Sequence, residues 1–172
     1  MTVESRFHIK TATPGEVGLV LAFIKGLAEY EQMADEVAAT EDDLQETLFG
    51  PEAVAKAIIG YSQDEPAGFA LYFYHYSTFT GRPSLYLEDI FVLPGWRGRG
   101  LGRQLMGYLA RIAIDRKCRR VEWSVLDWNQ PAIDFYKGLG AGPVNGWTTY
   151  RLAGLELKKL AQEHGPAEST LG

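Results

Sequence analysis

A mixed α/β sheet in a single domain is the fold class this sequence predicts, on three observations. Apolar runs between Ala53 and Leu93 are joined by short turns, the pattern of an antiparallel meander. The last of them ends at Pro94 and passes through a glycine–arginine loop into a long amphipathic stretch from Arg103. Beyond that helix a further strand, Arg119 to Leu126, returns, and strand–helix–strand in this order makes a parallel pair with a right-handed crossover.

Each element has a local reason. Arg6 to Ala12 reads as the first strand, with Phe7, Ile9 and Thr11 on one face. Thr13-Pro14-Gly15-Glu16 combines a capping threonine, a proline at the first helical position and a glutamate three residues on. A helix is therefore expected to run to about Met33, with Val17, Val20, Leu21, Ile24, Leu27 and Ala28 inward. Thr40-Glu41-Asp42-Asp43 repeats that start for a helix through Leu48, stopped by Gly50-Pro51. Ala53 to Ser62 fits strand or helix; its second half reads as strand, because Asp64 to Gly68 supplies a turn before the aromatic, alternating run Phe69 to Tyr76. Thr80-Gly81-Arg82-Pro83 then turns the chain into Leu85–Leu93. Leu101, Leu105, Leu109 and Ile112 recur at helical spacing. Asn129-Gln130-Pro131 opens a shorter helix through Leu139, ended by Gly140 and Gly142. Trp147 to Leu152 reads as a final strand and Glu156 to Gln162 as a last helical turn. The domain spans 1–162, and 163–172 is expected to be a disordered tail.

Composition excludes several classes. A net charge of −5 argues against a general nucleic-acid binder, and no run approaches a membrane span. The single Cys118 excludes an internal disulfide framework, and with no signal-peptide core in Met1 to Lys10 the expected location is cytoplasmic. His8, His75 and His164 are too scattered for a metal site or a triad. Acidic residues gather between Glu29 and Glu52 and basic ones between Arg97 and Arg120. These are either solvated helix faces or one side suited to a cationic substrate and another to a phosphorylated cofactor.

The loop Arg97-Gly98-Arg99-Gly100-Leu101-Gly102 lacks the Gly-Lys-Ser/Thr of a nucleotide phosphate loop. Counted from Gly98 and Gly100, the third glycine of the dinucleotide fingerprint falls on Arg103, so that match fails too. Alternate glycines between a strand and a helix still favour close backbone approach to an anionic ligand. Arg-x-x-Gly-x-Gly in this position resembles the acetyl-CoA pyrophosphate motif of the Gcn5-related N-acetyltransferase superfamily. Leu27-Ala28-Glu29-Tyr30-Glu31, Tyr86-Leu87-Glu88-Asp89, and Asp127 to Pro131 through Phe135-Tyr136-Lys137 resemble its spermidine/spermine N-acetyltransferase-like subfamily. Tyr76-Ser77-Thr78 and Val125 to Gln130 are similar to the thialysine N-acetyltransferase branch. The resemblance covers about residues 6 to 160.

It implies the acetyltransferase fold, with the parallel strands splayed at the cofactor site, and acetyl-CoA as acetyl donor. Backbone groups of Ile90, Phe91 and Val92 would lie along the pantetheine arm, and those of Arg97, Gly98, Arg99, Gly100, Leu101, Gly102 and Arg103 around the pyrophosphate. Asn129 and Ala132 would touch the cofactor, although Asn129 by type is also a helix N-cap. Tyr136 would protonate the departing thiolate, a step of about 10²–10⁴-fold; the alternative is a core aromatic beside Phe135. Glu88 would deprotonate or orient the amine. A lysine-like amine, with pKa about 10.4, is free base in only about one molecule in a thousand near neutrality. Alternation along a strand sets Glu88 and Asp89 on opposite faces, so Asp89 is expected to make a structural contact with backbone or an arginine. Tyr30 and Glu31 would line the amine pocket, or else end a helix in water. Asn145 takes the place of an acidic residue in the polyamine enzymes and Ser77 that of another, which points to a shorter amine than spermine. The expected activity is acetylation of a small-molecule amine in a direct ternary complex, by a homodimer. Acetylation of protein lysines or N-termini, and a CoA-binding regulator without catalysis, are the alternatives.

Overall fold

The computed structural model describes residues 7–165. Arg6 and residues 166–172, most of the expected tail, lie outside them. The chain forms two compact units, Met1–Ile133 and Asp134–Gly172.

The first unit holds one five-stranded sheet in chain order: β1 (Phe7–Thr11), β2 (Lys56–Ser62), β3 (Glu65–Ser77), β4 (Arg82–Val92) and β5 (Val121–Glu122). The first three pairings are antiparallel and the last is parallel; the short turns predict the second and third and the crossover the last, whereas the pairing of β1 with β2, across two helices of chain, had no such signal. The helices of this unit are α1 (Val17–Tyr30), α2 (Glu41–Phe49) and α3 (Leu101–Asp115). On one face of the sheet, Ala57, Ile59, Phe69, Leu71 and Phe91 form a core with α1 and α2, in which Phe23 and Phe69 stack with ring centroids 5.2 Å apart. On the other face α3 presses so close that a Cβ on Gly60 would meet the Leu101 side chain at 2.6 Å.

Gly68 is tighter still. Its Cβ would lie 2.6 Å from the Phe91 carbonyl oxygen and 3.1 Å from both Val92 Cα and Leu101. Gly68→Ala is therefore expected to push β4 off β3 and to lower stability by about 2 kcal/mol, read by urea denaturation.

Both threonine-led helix starts form. At Thr40 the box is reciprocal: Thr40 N–H donates to Asp43 Oδ2 (2.8 Å) and Asp43 N–H to Thr40 Oγ1 (3.2 Å). At Thr13 the N–H and hydroxyl both donate to Glu16 Oε2 (2.8 and 2.9 Å), and Pro14–Glu16 form a 3₁₀ turn ahead of α1. The other Glu16 oxygen takes a short hydrogen bond from the Tyr61 hydroxyl and pairs with Lys10 Nζ at 2.9 Å, joining β1 and β2 to the helix entry. Burial pushes the Glu16 carboxyl up, but the bonds from Tyr61, Lys10 and Thr13 overcome it and hold it at about 2. A depressed carboxylate contributes stability above its ordinary value of 4.5 that is lost as pH falls toward 2. Glu16→Gln is expected to lower Tm at pH 7 and to flatten the acid limb of a Tm-against-pH curve.

α1 ends three residues before the expected Met33. Gln32 takes the left-handed conformation (φ +60°), Met33 N–H donates to Ala28 O (2.8 Å) and Gln32 N–H to Glu29 O (3.1 Å), a Schellman closure that pins Tyr30 and Glu31. β5 is two residues long where Arg119 to Leu126 was expected, because a strand persists only while a neighbour pairs with it, and β4 and β5 diverge after one short contact.

A further helix, α4 (Gln130–Gly138), begins in the first unit and ends in the second, closed by Gly140 (φ +88°) as its sequence predicts. The second unit also contains α5 (Gly154–His164), which is three turns and not one, and takes in Glu163 and His164 of the expected tail. The expected strand Trp147–Leu152 does not form. The described residues of this unit include no strand to pair with it, and Trp147 and Tyr150 stand 79% and 93% exposed.

Candidate functional site

The site starts where β4 and β5 part. Only Leu85 and Tyr86 pair with β5, opposite Val121 and Glu122; among the described residues no strand pairs with this side of β4 beyond Tyr86. A β-bulge sits in the same stretch: Leu71 opposes Asp89 and Tyr72 opposes Leu87, leaving Glu88 as the extra residue. Its effect on backbone direction follows from two hydrogen bonds. Leu85 N–H points to the β5 side, donating to Arg120 O (3.1 Å), and Leu93 N–H points to β3, donating to Ala67 O (2.9 Å). Eight residues apart, they would face the same way in a regular strand; the bulge reverses them. Ile90 and Val92 therefore turn their N–H and C=O groups toward the gap, and Phe91 turns its own toward β3. An arm bearing amide groups fits that open edge as an added strand would.

The glycine loop closes one end of the gap. Gly98 and Gly100 have φ of +72° and +85°, and Gly100 is the residue before α3, accepting from Gln104 N–H (3.1 Å). A Cβ on Gly98 would meet nothing within 4 Å, so these glycines serve backbone conformation and not tight packing. The first turn of α3 carries no acidic residue, and its free N–H groups make an anion cradle. Leu101 is 1% exposed, so its part in any cofactor contact is through its backbone. Arg99 lies over the Trp96 ring (4.9 Å to the centroid), and Gly102 and Arg103 open the helix. Arg97 does something the sequence did not announce. Its Nε–H donates to Val92 O (2.9 Å), and its guanidinium lies over Tyr30 (5.0 Å) and Phe91 (5.4 Å), joining the open edge to the end of α1. Donor groups, positive charge and a strand edge on which Arg97 takes only the Val92 carbonyl fit an amide-bearing arm that ends in a diphosphate.

The acidic side faces α1. Asp89, opposite Leu71, is on the α1 face of the sheet and only partly exposed. Burial first, then the nearby charges of Glu88 and Glu31, push its carboxyl up to about 6. Burial likewise raises the Glu31 carboxyl. The expected separation of Glu88 and Asp89 is thus corrected: the bulge breaks the alternation, and the Glu88 charge acts on Asp89. The backbone or arginine contact expected for Asp89 is absent; among the described residues it has no hydrogen bond or ion pair. Glu88 itself is exposed. The Tyr30 hydroxyl donates to Asn129 Oδ1 (3.1 Å) and its ring lies 6.2 Å from that of Trp128. Asn129 is 5% exposed, and the same Oδ1 accepts from Ala132 N–H (3.3 Å), so it caps α4 as its type predicts.

Tyr30, Glu31, Glu88, Asp89, Arg97, Asn129 and Ala132 all belong to the first unit. Tyr136, beside Phe135 (ring centroids 5.4 Å apart), and the exposed Asn145 belong to the second. Trp128 and the stacking of Arg97 escaped the sequence reading. The only signal for either was an aromatic or arginine adjoining a motif residue. Among the described residues no group of side chains could hold a metal ion, and no helix is long and apolar enough to cross a membrane.

Comparison with known proteins agrees with this geometry. The thialysine N-epsilon-acetyltransferase of Sus scrofa is 37% identical over 164 residues, 89% of this chain and 96% of the relative. That of Caenorhabditis elegans is 36% identical over 160 residues, covering 91% and 98%. The solved structure of an integron cassette protein from the mobile metagenome of V. cholerae superposes with a TM-score of 0.75 at 34% identity, covering 91% of this chain and 98% of that one. Residues 23–141 match the acetyltransferase (GNAT) family. With its mixed sheet, parted parallel strands and glycine cradle, the chain belongs to that family and is an N-acetyltransferase.

Proposed function

We propose that the protein transfers an acetyl group from acetyl-CoA to a primary amine of a small molecule by direct attack in a ternary complex. The amine is a diamine, a polyamine or a lysine analogue such as thialysine, the amine that names the relatives. One observation carries the reading: a partly buried carboxyl, Asp89, adjoins on the same strand the residues whose backbone faces the gap. Ile90 and Val92 would hold the pantetheine arm, and the backbone from Gly98 to Arg103 the diphosphate. Acetyl-CoA supplies the activated acyl group. Tyr30, Glu31 and Asp89 form the acidic, aromatic-walled side that receives a cation; Asn145, by resemblance, is a further substrate-binding residue. Glu88 deprotonates or orients the amine, and Tyr136 donates the proton to the departing thiolate. The protein is proposed to be cytoplasmic and a homodimer, the exposed Trp147, Tyr150 and Leu155 supporting the self-association.

The test is a panel of diamines, polyamines, lysine analogues and lysine peptides, read by release of free CoA thiol. Turnover on a short amine supports the proposal. Turnover on peptides alone would make it a protein acetyltransferase, and CoA binding without thiol release a regulator. Within this scheme Glu88→Gln is expected to lower kcat/KM most at pH values well below the amine pKa, and a pH–rate profile matching wild type would remove Glu88 from the mechanism.

A further inference from the structure

β5 is held by little backbone. Two residues pair with β4 in parallel, a ladder too short to fix a strand on its own. Side chains supplement it on both sides of the fork. The two Glu122 carboxylate oxygens have different partners: Oε2 lies 2.9 Å from His75 Nε2 on β3, and Oε1 lies 3.3 Å from Arg120 Nε. Arg120 Nε–H also donates to the Ser84 hydroxyl (3.3 Å), whose residue is 1% exposed on β4. Glu122 therefore ties β5 across β4 to β3, and Arg120 roots the tie in the core. Past the last rung, the Tyr86 hydroxyl meets Ser124 Oγ at 2.9 Å, catching the chain just as it leaves the sheet. The Tyr86 ring is held in turn by Phe73 (5.1 Å) and His75 (5.6 Å).

We propose that this polar strap, Glu122 with His75 and Arg120, and Tyr86 with Ser124, sets the point and width at which β4 and β5 part, making Glu122 and Tyr86 positioning residues for the cofactor gap. The inference rests on the reading that acetyl-CoA occupies that gap. A two-rung parallel ladder can slip or fray, and each such movement changes the distance across the gap beside Ile90 and Val92. Glu122 and Tyr86 restrain that movement without touching the cofactor's diphosphate end, which the glycine loop holds.

The test measures acetyl-CoA affinity by calorimetry together with amide hydrogen exchange across 120–126. Wild-type binding of acetyl-CoA tests the functional reading by itself: no binding sinks that reading, whatever the strap does to exchange. For the strap, Glu122→Ala and Tyr86→Phe are expected to speed exchange across 120–126 and to weaken acetyl-CoA about three- to tenfold, with Tm within about 5 °C of wild type. The exchanged pair His75→Glu with Glu122→His restores the pairing across β4 but not the Arg120 contact, and is expected to bind acetyl-CoA more tightly than Glu122→Ala and more weakly than wild type. Faster exchange with unchanged affinity would overturn the proposal, since the strap would then hold β5 without shaping the gap. Unchanged exchange would overturn it as well.

Discussion

Replacing Tyr136 by phenylalanine is expected to lower turnover by about 10²–10⁴-fold while acetyl-CoA affinity stays within a few-fold. The phenol is proposed to deliver one proton, to the sulfur that leaves when the amine takes the acetyl group, and it is needed only while that bond breaks. Removing one oxygen therefore acts on kcat and on kcat/KM together and spares ground-state binding. The residue lies on α4, whose start is capped by Asn129 and whose end is closed by Gly140, so both ends of its helix are defined. Single-turnover thiol release, paired with calorimetry for acetyl-CoA, separates the outcomes. Unchanged turnover would sink the general-acid assignment, and a parallel loss of affinity would make Tyr136 a packing residue.

Asp89→Asn carries the second large expectation, with opposite signs for activity and stability. A carboxyl raised from 3.8 to about 6 is one whose charged form the fold disfavours. Below about pH 4 it is protonated folded and unfolded, and nothing is gained by removing it. Between there and 6 the unfolded chain ionises first, and above 6 the folded state bears the full penalty, on the order of 3 kcal/mol before screening. Asp89→Asn should therefore raise stability by roughly 1–2 kcal/mol at pH 7.5, the advantage shrinking as pH falls toward 4. Activity should move the other way. Without this negative charge near Glu88 and Glu31, the amine KM is expected to rise about tenfold or more. Denaturation at several pH values and amine saturation curves check the two halves. A destabilised variant with unchanged KM would show Asp89 to be a structural residue.

What could be read in advance was local. The threonine boxes at Thr13 and Thr40, the glycine closing α4 and the loop from Arg97 to Gly102 depend on residues a few positions apart, and each formed. What failed depends on distant partners. The run Trp147 to Leu152 has strand composition, yet composition does not create a neighbour. Arg119 to Leu126 shortened to two paired residues because its partner strand turns away. The bulge at Glu88 is invisible along β4 alone, since it exists only against Leu71 and Tyr72 of β3. With it went the reading of Asp89, whose partial burial and neighbouring carboxylates are properties of a place and not of a residue type. The candidate cofactor residues were legible because glycines and a helix start announce themselves, whereas the acidic side of the site had to be assembled.

The bulge makes β4 two strands of opposite phase spliced end to end. Its first half hydrogen-bonds to β5 in one phase, and its second half presents Ile90 and Val92 to the gap in the other. Drawing Glu88 into the ladder in regular register, without the bulge, would keep every functional group, yet it would exchange inside for outside along everything that follows. Phe91 would offer its backbone to the gap, and the carboxyl of Asp89 would swing into the apolar layer of Leu101 and Leu105. A strand with a fault in it thus presents a partly buried carboxyl on one face and backbone groups along its open edge, which an unbroken strand of the same composition could not do together.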